Sequence, residues 1–165
     1  MTTRPRGPGG TDGGGATLGQ TVSITCDVHV PQLPSRVWRA LTEPRLVAAW
    51  WAAGDIRPVV GHRFTLDMGP WGNQPCQVVE VEPGRILSYT FAEGSLDTRL
   101  TWRIEPEGDG CRLFLEHSGF DLDSPAGRQA YEGMGKGWPG VIAGVDAALR
   151  QDSERSRPDR SAGDT

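Results

Sequence analysis

The folds open to this chain are limited most by one long helical stripe placed after a run of strands. From Arg128 to Arg150, the side chains of Tyr131, Met134, Trp138, Val141, Ile142, Val145 and Leu149 fall three or four apart, the spacing of one buried helix face. Upstream, from Thr21 onward, apolar and polar residues alternate instead, as in strands with one buried side. A sheet that is apolar on one side must be covered, and this helix is the element available to cover it.

The stripe is weak at its centre. Pro139 lacks a backbone N–H and clashes with the carbonyl four residues back in a straight helix. Gly133, Gly135, Gly137 and Gly140 surround it, each less favourable than Ala by up to about 1 kcal/mol. A kink or break is expected near Gly137, with Trp138 swung toward the space between helix and sheet.

In chain order, Val22 to Val30 is apolar at even positions and polar at odd ones, a half-buried strand ended by Pro31 and Pro34. Ser35 is placed to cap a helix that turns Val37, Trp38 and Leu41 inward. Pro44 starts a second, short helix over Arg45–Trp50. Gly54, Pro58 and Gly61 punctuate a weak connecting strand. Phe64, Leu66 and Met68 then alternate with polar neighbours, Cys76 to Glu82 ends at the turn pair Pro83-Gly84, and Arg85 to Phe91 follows. Leu96, Thr98, Leu100, Trp102 and Ile104 give the clearest alternation, and Cys111 to His117 returns after the loop Pro106–Gly110. The short gaps make these antiparallel hairpins. The expected fold is α+β: a curved antiparallel sheet of about seven strands gripping a long C-terminal helix, with two short helices after the first strand.

At 165 residues the chain can hold one domain with a substantial core. Met1–Gln20 is Gly-rich and almost without apolar residues, and Gln151–Thr165 alternates acidic residues with Arg. Both are expected as disordered tails around a folded unit of residues 21–150. The net charge of −4 without a basic cluster argues against nucleic acid as a partner. No run is long and apolar enough for a membrane span, and no signal peptide opens the chain, so a cytoplasmic location is expected. Cys26, Cys76 and Cys111 match no metal-ligand spacing and are expected as reduced, buried thiols. Cys26 and Cys111 have inward register on strands expected to be neighbours and could approach one another, although a structural disulfide is not expected in a reducing compartment.

Several segments in the same order carry a family resemblance. Val37-Trp38-Arg39-Ala40-Leu41-Thr42-Glu43-Pro44, Trp50-Trp51 and Val60-Gly61-His62-Arg63-Phe64 resemble the opening of an AHSA1-like protein of the START/Bet v 1-like (SRPBCC) superfamily. Val81 to Tyr89, Gly110 to Phe120 and Gly137-Trp138 continue the match. The resemblance implies a helix-grip domain with an internal ligand cavity. It is unspecific for activity, because members include lipid and polyketide binders, cyclases and chaperone activators. Gly133 to Pro139 also resembles the matching helix of enediyne self-resistance proteins of this superfamily.

Read with the alternation, the inward side chains are the expected ligand-binding residues. From the sheet and the segment before it these are Trp51, Phe64, Leu66, Met68, Tyr89 and Leu100, with Trp102, Leu115 and His117 beyond them. From the helix they are Tyr131, Met134 and Trp138. His117 keeps register with Leu113 and Leu115 and is the one candidate for an acid or base; the alternative is a histidine bonded to a neighbouring group. Three isolated histidines without a convergent carboxylate give no metal signature, and no cofactor is expected. The expected function is binding of a hydrophobic or aromatic, polyketide- or lipid-like small molecule by a monomer or homodimer. The alternatives are a cyclase, dehydratase or hydrolase on a polyketide-like substrate, self-resistance by sequestration, and activation of an Hsp90-type chaperone in a stress response.

Overall fold

A computed structural model describes residues 21–156 of the chain. Met1–Gln20, expected as a tail, and residues 157–165 lie outside the described residues. The elements are β1 (Thr21–Val30), α1 (Pro34–Thr42), α2 (Pro44–Trp50), β2 (Arg63–Asp67) and β3 (Asn73–Glu82). They continue with β4 (Ile86–Phe91), β5 (Thr98–Glu107), β6 (Gly110–Asp121), α3 (Pro125–Ile142) and α4 (Val145–Ser156). The strands form one antiparallel sheet of 6 strands in the order β1-β6-β5-β4-β3-β2. This is the expected α+β helix-grip fold.

Among the described residues the strand count is 6 and not about seven. The connecting strand expected around Gly54–Gly61 reduces to a single bridge between Gly54 and Leu66. Gly54 lies so close to its neighbour that a Cβ would fall 2.3 Å from the carbonyl oxygen of Thr65. The strand expected from Leu96 begins instead at Thr98. Ala92 (φ 63°) and Asp97 (φ 53°) both take left-handed backbone and turn the intervening residues into a loop.

The buried face is built as the alternation dictates, with Leu87, Tyr89 and Phe91 on β4, Leu100, Trp102 and Ile104 on β5, and Leu113 and Leu115 on β6. One irregularity shapes the site. Val22 pairs with Phe120 but Ile24 pairs with His117, so β6 carries one extra residue there. Gly119 supplies the left-handed backbone of this bulge at φ 94°. The extra residue brings both His117 and Phe120 to the buried face, although they are three apart. Cys26 faces Leu115 and Cys111 faces Val30, so these thiols sit well apart along the strand pair and do not approach each other. All three cysteines are free.

The helix ends differ from expectation in three places. α1 begins at Pro34, with Leu33 and not Ser35 at the capping position. α3 is capped by Ser124, whose Oγ accepts the Gly127 N–H at 3.2 Å, and it runs through Gly137 and Pro139 without interruption. The expected break comes later, at Ala143–Gly144, where Gly144 lies against Trp50 and no bulky side chain intervenes. Pro139 and Gly140 are exposed, so the missing N–H is on the wet side of the helix, where solvent can serve a freed carbonyl. α4 then passes the expected domain boundary at Arg150 and continues to Ser156. Asp152 anchors it: the side chain is buried beneath Arg45, which donates to it at 2.6 Å, and Arg39 at 3.6 Å. Gln151–Ser156, read as tail from its charges, is therefore helix, and its Asp152 is held against α1 and α2.

Candidate functional site

α3 lies against β1 and β6, at one side of the curved sheet. The space between α3 and the other end of the sheet is a cavity of about 550 Å³, open to solvent on one side. Its helix wall is one face of α3, on which Ala130, Gly133, Met134, Gly137, Trp138 and Val141 recur three or four apart. The opposite wall comes from Met68 and Trp71 between β2 and β3, Gln74 on β3, Phe91 at the end of β4 and Leu96 in the following loop. Trp51, which follows α2, lies between them. Among the described residues the lining carries no charged side chain; its polar side chains are Gln74, Ser95 and Gln129.

The glycines that weaken the helix also make the room. A Cβ added at Gly133 or Gly137 would meet no atom within 4 Å. A helix with Leu at those positions would fill part of the cavity with its own side chains.

Behind the wall the interior is packed with aromatic rings. Trp138 lies 5.0 Å from Trp51 and 5.7 Å from Trp102 between ring centroids, and Trp102 meets Trp50 edge-on at 5.4 Å. The indole N–H groups of Trp50 and Trp102 are satisfied internally. Trp50 Nε1 donates to the Ala40 carbonyl at 2.8 Å, and Trp102 Nε1 donates to the Tyr89 hydroxyl at 3.0 Å. Burial raises the Tyr89 hydroxyl far above its ordinary pKa, so it stays protonated.

His117 is fully buried and has no free nitrogen. Trp138 Nε1–H donates to His117 Nδ1 at 3.0 Å, which places the ring proton on Nε2. That proton goes to Thr98 Oγ1 at 2.9 Å, and the Thr98 hydroxyl donates to the Phe91 carbonyl at 3.2 Å. Burial pushes the His117 pKa down to about 3, so the imidazole is neutral across the physiological range. This chain of bonds joins α3, β6 and both ends of the β4–β5 loop. It fixes the indole of Trp138 on the cavity wall; it does not present a base to the cavity.

Of the expected ligand residues, Trp51, Met68, Met134 and Trp138 line the cavity. Phe64, Leu66, Tyr89, Leu100, Trp102 and Leu115 are buried in the packed interior, as is His117. Tyr131 packs edge-on against Phe120, 5.6 Å between ring centroids. Residues of the lining that sequence reasoning did not single out include Trp71, Gln74, Phe91 and Leu96. Phe91 was visible by its inward register; Trp71, in a Gly-Pro-Trp-Gly turn, gave no periodic signal. Among the described residues, no three His, Cys, Asp or Glu side chains converge as a metal ion would require, and no helix is long and apolar enough to cross a membrane.

A curved antiparallel sheet, a gripped C-terminal helix and a cavity between them define a helix-grip protein. Residues 33–150 match the family described as Activator of Hsp90 ATPase homolog 1-like protein, and the chain belongs to that family. No curated protein matches the sequence. Among solved structures, protein MLL2253 from Mesorhizobium loti is 32% identical with a TM-score of 0.69, over 83% of this chain and 100% of that one. CalU16 from Micromonospora echinospora is 27% identical with a TM-score of 0.63, over 81% of this chain and 79% of that one. DynU16, a protein of the dynemicin biosynthetic locus, shares the fold at 21% identity and a TM-score of 0.65, over 78% of this chain and 47% of that one.

Proposed function

We propose that this protein binds an apolar, aromatic small molecule non-covalently in the cavity between α3 and the β2–β4 end of the sheet. The observation that carries this reading is a half-open cavity of about 550 Å³ whose wall holds aromatic, Met and small side chains and no charge. Its volume falls in the range of roughly 300–1,000 Å³ common to small-molecule sites. Binding would be driven by moving apolar ligand surface from water onto Trp51, Phe91 and Trp138. A charged group deep in the cavity would be left unpaired, so the reading favours neutral ligands. The engagement of both His117 nitrogens supports binding over acid–base chemistry. A protein of the same fold in a biosynthetic locus makes polyketide-like aromatics the first panel to screen.

The test uses N-phenyl-1-naphthylamine, a neutral apolar dye that brightens out of water. Wild-type protein is expected to give saturable enhancement at one site. Gly133→Leu and Gly137→Leu, which place a side chain in open space, are expected to weaken it at least tenfold while the fold is retained by circular dichroism. Absence of saturable enhancement in the wild type, or equal affinity in the filled variants, contradicts the reading.

A further inference from the structure

Trp71 is the most exposed large apolar side chain among the described residues, at 76%, yet it belongs to the cavity lining. A tryptophan left in water at the mouth of an apolar cavity is a surface without its partner. We propose that Trp71 is the capping residue of this site: the turn Met68–Gly72 swings toward α3 when a ligand is bound, and the indole closes over it. The proposal rests on the small-molecule reading above and adds the residue that retains the ligand.

Three features of the turn support this motion. Gly69 (φ 64°) and Gly72 (φ 80°) flank the Pro70-Trp71 pair, both in left-handed backbone that glycine adopts without strain. A Cβ at either position would meet nothing within 4 Å, so none of the described elements packs on those two glycines. The hydrogen bonds of the turn run within it or to the ends of the two strands it joins. Met68 N–H donates to the Gly72 carbonyl at 3.0 Å, Gly69 N–H to Asp67 Oδ1 at 2.9 Å, and Gln74 Nε2 to the Trp71 carbonyl at 2.7 Å. The base of the turn is fixed, because Asp67 donates to the Ala53 carbonyl at 2.8 Å and pairs with Asn73 across β2 and β3. The tip can therefore move as a small unit without unpairing the hairpin.

The facing wall is shaped to receive a flat group. The α3 part of the lining includes Ala126, Ala130, Gly133 and Gly137, four small residues on one helix. They leave a smooth surface against which a planar ligand could lie, with the Trp71 indole on its other side. Stacking of this kind is worth about two- to tenfold in affinity, in addition to the apolar area it buries.

The experiment uses the full chain, N-phenyl-1-naphthylamine and 5-fluorotryptophan labelling. The Trp71 fluorine signal is identified by its loss in Trp71→Phe. Saturating dye is expected to move that signal and to lower its sensitivity to solvent isotope. Trp71→Ala is expected to bind roughly tenfold more weakly, mainly through faster dissociation, with unchanged thermal stability; Trp71→Phe retains most of the affinity. Saturable dye binding with an unmoved Trp71 signal and unaltered dissociation in Trp71→Ala overturns the cap and leaves the cavity reading standing. No saturable binding by wild-type protein overturns both.

Discussion

At the scale of single residues, His117 shows how little a residue type reveals about its work. Its register on β6 was legible from Leu113 and Leu115, and its side chain is buried among aromatic rings. Whether an inward histidine acts on a ligand depends on its partners, which lie 19 and 21 residues away in sequence at Thr98 and Trp138. No local pattern announces them. With the folded pKa depressed from 6.5 to about 3, the native state stays neutral where the unfolded chain takes up a proton. The stability from neutral His117 is thus complete above about pH 6.5 and is lost progressively as pH falls toward 3, by up to about 1.4 kcal/mol per pH unit. Urea denaturation between pH 7 and 4 should show this slope, and it should become shallower in His117→Phe, where the depressed carboxyl of Asp152 still contributes at the acid end. His117→Ala should lower stability by about 3 kcal/mol, because it leaves a void and an unpartnered Trp138 Nε1–H, while Thr98 Oγ1 keeps only its bond to the Phe91 carbonyl.

At the scale of elements, the helical stripe was correctly legible in its period and misleading in its weak centre. Proline and glycine in a helix argue for a break when only backbone propensity is considered. In the structure Pro139 turns its missing N–H toward solvent, and the break falls at Gly144 against Trp50. Gly133 and Gly137 face open space inside the cavity. It follows that Gly133→Ala and Gly137→Ala should each stabilise the protein by up to about 1 kcal/mol, measured by chemical denaturation. Destabilisation by either substitution would show that a Cβ is not tolerated there. The end of the domain was hidden for the opposite reason: Gln151–Ser156 looks like charged tail, yet Asp152 follows Leu149 by three residues on the inward face of α4. Its carboxyl is held below the ordinary carboxylate range by its bond to Arg45 and the charge of Arg39. Arg45 is half exposed, so solvent screens the pair, and Asp152→Asn should lower stability by only about 1 kcal/mol.

At the scale of the whole molecule, alternation tells which side of a strand is apolar but not how far along the sheet the covering helix stays in contact. Leu66, Leu100, Trp102 and Leu115 share the inward face with Met68 and Phe91, but the first four are packed and the last two reach the cavity. The distinction is set by curvature and by small residues on α3, neither of which a periodic pattern encodes. Hydrophobic patterning thus made the fold legible and left the boundary between core and cavity unread. A ligand held inside this boundary would touch both of its walls. Met68 and Met134 lie on opposite walls of that space, so the most direct measurement is an NMR titration of methionine ¹³C-methyl groups with N-phenyl-1-naphthylamine, assigned through Met68→Leu and Met134→Leu. Both methyl signals are expected to shift together and saturate at the same ratio of dye to protein. Dye binding that leaves both signals unmoved would contradict a ligand site between those walls.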